Sequence, residues 1–91
     1  MNAYVYILQD TRGKFYIGST NDLERRLNQH KRGHTYTTRR METPILVFSQ
    51  AYDTLKDARF VERKIKALKR KDYIEKIIKD GYIKINPKKG L

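Results

Sequence analysis

Two short runs of strand-forming residues, separated by only a few positions, constrain the fold of this chain more than any other feature. Residues 3–9 and 14–19 are rich in aromatic and β-branched side chains, which fit the pleated surface of a strand. Residues 10–13 between them have turn chemistry and end in Gly13, which can adopt a positive φ. The pattern predicts an antiparallel β-hairpin near the start of the chain.

The register of this hairpin decides which side chains share a face. Side chains alternate between faces with a period of two, so Tyr4 and Tyr6 point the same way. Tyr16 joins them only if an even-numbered residue lies opposite it, which requires a loop with an odd number of residues. We therefore predict a three-residue loop, residues 11–13, with Gly13 in a bulge, and Tyr6 and Tyr16 on one face.

A helix and a third strand follow the hairpin. Residues 20–22 are of helix-capping types and precede a helical pattern over 23–32. Arg26 and His30 are four residues apart in this helix, so their side chains are neighbours. Residues 45–52 are the most continuously apolar run, which suits a central strand buried on both faces.

Two further helices complete the predicted fold. Thr54 begins a helix that runs to about Leu68, with Asp57 completing a variant capping box. A short amphipathic helix follows over residues 72–80. The predicted order is ββαβαα, an α+β fold in which helices flank a small three-stranded antiparallel sheet.

The length of 91 residues favours one domain. We assign this domain to residues 1–81, and residues 82–91 to a loosely held basic tail. There is no cysteine for a disulfide or a thiolate metal site. No apolar run approaches the roughly 20 residues that cross a membrane, and the first apolar run is too short for a signal peptide. We therefore expect a cytoplasmic protein without a membrane partner.

The charge balance indicates a polyanionic partner. The chain has 21 Lys and Arg residues against 10 Asp and Glu, a formal net charge of +11. Such an excess favours nucleic acid, ahead of an anionic membrane surface. A generically basic protein that associates with ribosomal RNA is the alternative that charge alone leaves open.

Five residues could together carry out phosphodiester chemistry: Tyr6, Tyr16, Arg26, His30 and Glu62. An arginine fork suits a phosphate, and a carboxylate is a hard ligand for Mg²⁺ or Mn²⁺. A tyrosine has a pKa of about 10 and is a poor base unless nearby positive charge lowers it. Each residue also has a purely structural explanation. Tyr6 and Tyr16 could be strand aromatics and Arg26 a solvated helix arginine. His30 could be a half-buried helix histidine and Glu62 the ion-pair partner of Lys66.

The order of these residues resembles the GIY-YIG nuclease family. Tyr16-Ile17-Gly18 matches the second motif, and Tyr4-Val5-Tyr6 occupies the first with the glycine replaced. The stretch 18–30 looks like the segment that carries the essential arginine, and Glu62 looks like the metal-binding glutamate. The chain is most similar to small stand-alone bacterial members, which resemble the nuclease domain of an excision-repair subunit. Ser19 stands where some members have a lysine.

The resemblance implies an endonuclease that hydrolyses nucleic acid, with DNA expected, using a single Mg²⁺ or Mn²⁺ on Glu62. Tyr6, Tyr16, Arg26 and His30 would be catalytic, with one tyrosine taking the proton from the attacking water; we predict that this is Tyr6. The alternative is a non-catalytic DNA- or RNA-binding module on the same fold. A protein partner or a second copy could supply targeting. Expected nucleic-acid contacts are Arg25, Lys31, Arg32, Thr38, Arg39, Arg40, Arg63 and Lys66.

Overall fold

The computed structural model describes residues 2–32, 44–85 and 87. These residues form an antiparallel sheet of strands β1 (Ala3–Gln9), β2 (Phe15–Thr20) and β3 (Ile45–Tyr52), with helices α1 (Leu23–Lys31), α2 (Leu55–Leu68) and α3 (Lys71–Asp80). The order ββαβαα and the α+β class are as predicted. In this part of the chain, no helix is both long enough and apolar enough to span a membrane.

The hairpin between β1 and β2 has the predicted register. The backbone N–H of Asp10 donates to the carbonyl of Lys14 at 3.0 Å, and that of Gly13 donates to the carbonyl of Asp10 at 3.0 Å. Gly13 has a φ of 85°, a conformation that glycine adopts without steric cost. Tyr16 lies opposite Leu8, so Tyr6 and Tyr16 share a face, as predicted for a loop with an odd number of residues.

The strand order is β2–β1–β3, so β1 is the central strand. The prediction that residues 45–52 form a central strand buried on both faces is wrong. They form an edge strand, in which Ile45 is 60% and Leu46 is 40% exposed. Because hydrophobic content does not encode the order of strands in a sheet, a half-exposed edge strand can be as apolar in sequence as a buried one.

The apolar core lies on the face of the sheet opposite Tyr6 and Tyr16. Odd-numbered residues of β1 and β2 point to it, and α2 and α3 cover it. Burying a valine or isoleucine side chain contributes about 1.5–3 kcal/mol, so this layer supplies much of the stability of the fold. Its buried members are Ala3, Val5, Ile7, Ile17, Ala58, Val61, Ile65, Ile77 and Ile83.

The chain after α3 returns to the sheet. Gly81 ends the helix with a φ of 82°, and Ile83 is then only 5% exposed. The Ile83 backbone N–H donates to Oε1 of Gln50 at 2.8 Å, which ties this segment to β3. Ile83, within the segment 82–91 that we expected to be loosely held, is therefore packed against the sheet.

Candidate functional site

Tyr6 occupies space that a glycine leaves open on the neighbouring strand. It lies opposite Gly18 in the sheet and has no exposed surface. A β-carbon placed on Gly18 would lie 2.6 Å from Cζ of Tyr6, far inside van der Waals contact. Gly18 is therefore required because the Tyr6 ring packs directly on the backbone of β2.

A short hydrogen-bond chain joins Tyr6 to α1. The Tyr6 hydroxyl lies 2.8 Å from Nε2 of His30, and Nε of Arg26 donates to the same hydroxyl at 3.3 Å. A guanidinium has no acceptor, so the hydroxyl accepts from Arg26. We assign the hydroxyl proton to His30, in the tautomer whose Nε2 carries no proton. This arrangement requires His30 to be neutral at Nε2.

The surroundings of His30 favour that neutral form. The side chain is only 3% exposed, and burial lowers its pKa, with the positive charge of Arg26 adding to the effect. Burial disfavours the charged imidazolium, and a nearby like charge acts in the same direction. His30 is therefore placed as a buried hydrogen-bond partner of Tyr6, and its catalytic role stays a prediction.

Tyr6 is poorly suited to be the general base. Burial raises its pKa to about 12, and the hydrogen bond from Arg26 only partly offsets this. A phenol with such a pKa is protonated at neutral pH, and its hydroxyl already has hydrogen-bond partners in His30, Arg26 and Tyr16. The role of Tyr6 as the group that takes the proton from water stays a prediction, against which its burial and raised pKa argue.

Tyr16 is the accessible member of the tyrosine pair. It is half-buried, with its ring centroid 6.3 Å from that of Tyr6 and 5.1 Å from that of His30. Nζ of Lys66 lies 5.8 Å from the centroid of the same ring. A lysine from α2 thus brings positive charge to Tyr16, although position 19, where some family members have a lysine, is serine.

Glu62 contacts β2 through Ser19. Ser19 is on the core-facing side of that strand, and its hydroxyl donates to Oε1 of Glu62. Nζ of Lys66 donates to Oε2 at 2.6 Å, and the Glu62 side chain is 17% exposed. The charge of Glu62 also contributes to the raised pKa of Arg26, after the larger effect of the hydrogen bond to Tyr6. The carboxylate is therefore held in place, near enough to Arg26 to act on its charge.

The donor set at Glu62 fits a divalent cation that draws its other ligands from water and phosphate. A cationic group, the Lys66 ammonium, already lies at the carboxylate. Among the residues described, no cluster of three or more His, Cys, Asp or Glu side chains could form an all-protein site. Mg²⁺ is commonly bound through one or two carboxylates together with substrate phosphates and water, and Glu62 can provide one such ligand.

The predicted nucleic-acid contacts fall into different parts of the molecule. Lys66 joins the site, whereas Lys31, at the end of α1, and Arg63, on α2, are exposed. Arg25 and Arg32 line a depression on the outer side of α1, where Nε of Arg25 lies 3.8 Å from Asp22 Oδ2. The other three predicted contacts lie outside the described residues: Thr38, Arg39 and Arg40.

Two partners of the site residues were not predicted from the sequence. Gln29 accepts from Nη1 of Arg26 at 3.3 Å; since residues three apart on a helix are neighbours, the sequence contained a signal for this contact. Ser19 contacts Glu62 across 43 positions. Strand alternation places Ser19 on the core-facing side, but nothing in the sequence pairs it with Glu62.

The chain belongs to the GIY-YIG family, because the GIY-YIG catalytic domain matches residues 2–77. Proteins of this superfamily are typically nucleases, which act on nucleic acids and generally use a divalent metal. The match includes every candidate catalytic residue described above, and it confirms the resemblance inferred from the motifs.

Within the family, the chain is similar to bacterial UPF0213 proteins. It is 33% identical over 82 residues to one from Bacillus licheniformis, covering 86% of this chain and 84% of that protein. The solution NMR structure of a UPF0213 protein from Bacillus halodurans has a TM-score of 0.56 and 33% identity, covering 89% and 87% of the two chains. Two Streptococcus agalactiae relatives are 37% identical over 57 residues, which is 65% of their length.

Proposed function

We propose that this protein is a divalent-metal-dependent endonuclease that hydrolyses phosphodiester bonds of DNA. The observation that carries the proposal is the convergence of four side chains on one face of the hairpin, with Glu62 beside the same strand edge. A structural packing role would explain the buried tyrosine and histidine, but not the guanidinium of Arg26 held beside them. The four converging side chains are Tyr6, Tyr16, Arg26 and His30.

Arg26 is assigned as the phosphate clamp. Its guanidinium is held from two directions, by the Tyr6 hydroxyl and by Oε1 of Gln29. A guanidinium whose orientation is already fixed loses little entropy on binding a phosphate oxygen. Its charge then offsets the negative charge that develops on the pentavalent phosphorus.

Tyr16 is assigned as the group that takes the proton from the attacking water. It is the solvent-accessible tyrosine of the pair, whereas the Tyr6 hydroxyl is enclosed and donates to His30. Tyr6 and His30 are therefore positioning residues, which hold Arg26 and the face of the site. Water attacks phosphorus in line, leaving 5′-phosphate and 3′-hydroxyl ends.

Glu62 is assigned as the ligand of a single Mg²⁺ or Mn²⁺. When bound, such an ion neutralises phosphate charge and stabilises the departing 3′ oxygen. Lys66 already pairs with one oxygen of Glu62, so a cation held there would compete with the Lys66 ammonium for that oxygen. Ser19 keeps the other oxygen oriented.

The remaining predicted contacts would hold the nucleic-acid backbone on either side of the cleaved bond. These are Arg25, Lys31, Arg32, Arg63 and Lys66, together with Thr38, Arg39 and Arg40 of the segment that the structure does not describe. The proposal places the protein in the cytoplasm. A protein partner or a second copy would direct it to its substrate.

The proposal is tested by cleavage of labelled single-stranded, duplex, flap and branched DNA with Mg²⁺ or Mn²⁺. We expect Glu62→Gln to reduce the rate by at least about 100-fold, because a principal electrostatic contact is lost, while binding in EDTA is retained. Glu75→Gln, an exposed change on α3, is the matched control and should cut at the wild-type rate.

Two outcomes would contradict the proposal in different ways. Full cleavage by Glu62→Gln would refute the metal-ligand assignment. Tight, salt-sensitive binding by the wild type without cleavage of any substrate would instead favour the binding module, in which the Glu62–Lys66 pair is permanent.

A further inference from the structure

A groove of about 510 Å³ opens beside Tyr16, between the β2 edge and the junction of α2 and α3. Tyr16 and Lys66 belong both to this groove and to the candidate catalytic site. At its far end the hairpin turn approaches α3, since a β-carbon on Gly13 would lie 3.6 Å from Nζ of Lys71. The groove therefore continues from the site along the molecule, and its walls come from three separate elements.

Basic side chains form the rim of the groove, and none of the described residues lining it is acidic. Three of the six basic residues have a carboxylate partner outside the groove: Arg12 with Asp10, Lys66 with Glu62, and Arg70 with Asp72. Within the described part of the chain, the other three form no ion pair: Lys14, Lys69 and Lys71. These three exposed ammonium groups provide uncompensated positive charge along the groove.

Lys69 occupies a backbone position that normally belongs to glycine. It follows the last turn of α2 with a φ of 50°, the single positive φ among the described non-glycine residues. Helices commonly end in this left-handed conformation with glycine, because other side chains are strained there. Strain retained at a charged surface position points to a role for the side chain itself.

The floor of the groove is apolar. Phe15 and Ile74 are partly exposed and lie above the buried Ile17 and Ile65. The Lys71 ammonium lies 5.8 Å from the centroid of the Phe15 ring, so one ligand could meet a cation and an aromatic surface together. A nucleotide has this combination of a phosphate and a flat base.

We propose that this groove binds an unpaired strand of nucleic acid that leads to the cleaved phosphate. The lysines hold successive backbone phosphates, and a base stacks on Phe15. The strand is unpaired because a duplex keeps its base faces stacked inside, where they cannot reach an apolar floor. The assignment of the groove to the substrate strand rests on the proposed nuclease function, whereas the binding itself does not.

The first test measures binding in EDTA by fluorescence anisotropy, so that no cleavage is required. The probes are a fluorescein-labelled single strand of about 15 nucleotides, a length that spans several phosphates, and the same strand in a duplex. The variant K14Q/K69G/K71Q is compared with K56Q/K76Q/K79Q, which removes three exposed lysines that do not line the groove. Circular dichroism melts show whether each variant is folded.

We expect the groove variant to bind the single strand at least about 10-fold more weakly. The slope of its log affinity against log salt concentration should fall by the equivalent of about three phosphate contacts. The affinity of the control variant should fall by less than about 3-fold, because scattered surface charges act only through the overall electrostatic potential of the protein. Equal losses in the two variants would overturn the proposal.

Two single variants separate the roles of side chain and backbone. Lys69→Gly should keep or raise the melting temperature, because glycine suits the left-handed position, and still weaken binding. Phe15→Leu should weaken single-strand binding by about fivefold or more without changing the salt slope, because it removes stacking rather than charge.

Unaltered affinity in both single variants, or duplex binding as tight as single-strand binding, would overturn the assignment. Failure of the nuclease proposal is seen separately, as wild-type protein that binds the strand but never cuts it. Failure of the groove proposal is seen as Glu62-dependent cutting that the groove variant leaves unchanged.

Discussion

The two faces of the same three-stranded sheet are built on different principles. The odd-numbered face buries aliphatic side chains under α2 and α3. The even-numbered face buries Tyr6 and His30 in a hydrogen-bond chain with Arg26 beneath α1. One residue step along β1 therefore separates the aliphatic core from a layer in which a polar hydrogen-bond chain accompanies the buried Tyr6 and Leu8.

This difference shows how a chain of 91 residues can combine a stable core with a charged site. Apolar burial is non-directional and tolerates some repacking. A buried polar network requires each donor to meet its acceptor, and it loses more when one member is removed. We therefore expect substitutions in the aliphatic layer of the first face to change stability alone, and those in the buried hydrogen-bond chain of the second face to change stability and activity together.

The largest stability effect should come from the apolar face. Ile7→Ala removes a fully buried side chain from the central strand and should cost about 2–5 kcal/mol in the free energy of unfolding. Ile45→Ala, at a position 60% exposed on the edge strand, should change it by less than about 0.5 kcal/mol. Urea unfolding measures both. If the folded fraction of Ile7→Ala cleaved more slowly than the wild type, the expectation that the apolar face affects stability alone would be wrong.

Gly18→Ala should have the next largest effect. The added methyl group meets the Tyr6 ring, and overpacking of this kind costs about 1–3 kcal/mol. Because the ring must move, the contacts to His30 and Arg26 should be lost as well, and cleavage should fall. Gly81→Ala meets no neighbouring atom and should leave cleavage unchanged. Wild-type activity in Gly18→Ala would show that the position of the Tyr6 ring does not matter for the chemistry.

Removal of one hydroxyl distinguishes the two tyrosines. Tyr6→Phe leaves Nε2 of His30 without its donor and should cost about 1–2 kcal/mol of stability. Tyr16→Phe should change stability by less than about 0.5 kcal/mol and reduce cleavage by about 100-fold or more, as expected for a general base. The opposite pattern, with activity lost only in Tyr6→Phe, would return the role of base to Tyr6.

The smallest effect should be a dependence of stability on pH through His30. Its pKa in the folded protein is lowered by burial and by Arg26, so the unfolded chain binds the proton more readily. The contribution to stability is therefore complete above the unfolded pKa of about 6.5 and is lost as pH falls below it. Melting curves from about pH 7.5 to 5.5 should show a larger decrease for the wild type than for His30→Gln. Equal slopes would show that His30 does not contribute.

The hairpin and the ends of the helices could be predicted from the sequence because their determinants are local. An odd-numbered loop ending in Gly13 was enough to place Tyr6 and Tyr16 on one face. The Thr54 cap was equally local, and its side chain accepts from the Asp57 backbone N–H at 3.1 Å. In both cases the structure depends on residues fewer than ten positions apart.

The features that could not be predicted depend on distant residues. The position of β3 at the edge depends on which strand pairs with which, and its apolar sequence alone does not report this. The burial of Tyr6 and its hydrogen bond to His30, 24 positions away, likewise depend on how α1 packs on the sheet. A residue type indicates what chemistry is available, whereas the surroundings decide which of two identical residues performs it.

The three residues of the Tyr16-Ile17-Gly18 motif have different roles, because successive side chains of a strand point to opposite faces of the sheet. Tyr16 faces the site, Ile17 anchors the strand in the core, and Gly18 again faces the site, where its missing side chain admits Tyr6. The sizes of residues 6 and 18 are therefore coupled, because the side chain at position 6 fills the space that the residue at position 18 leaves open. We therefore expect a larger residue at position 18 to be tolerated only with a smaller one at position 6, which links the two motifs although they lie on different strands.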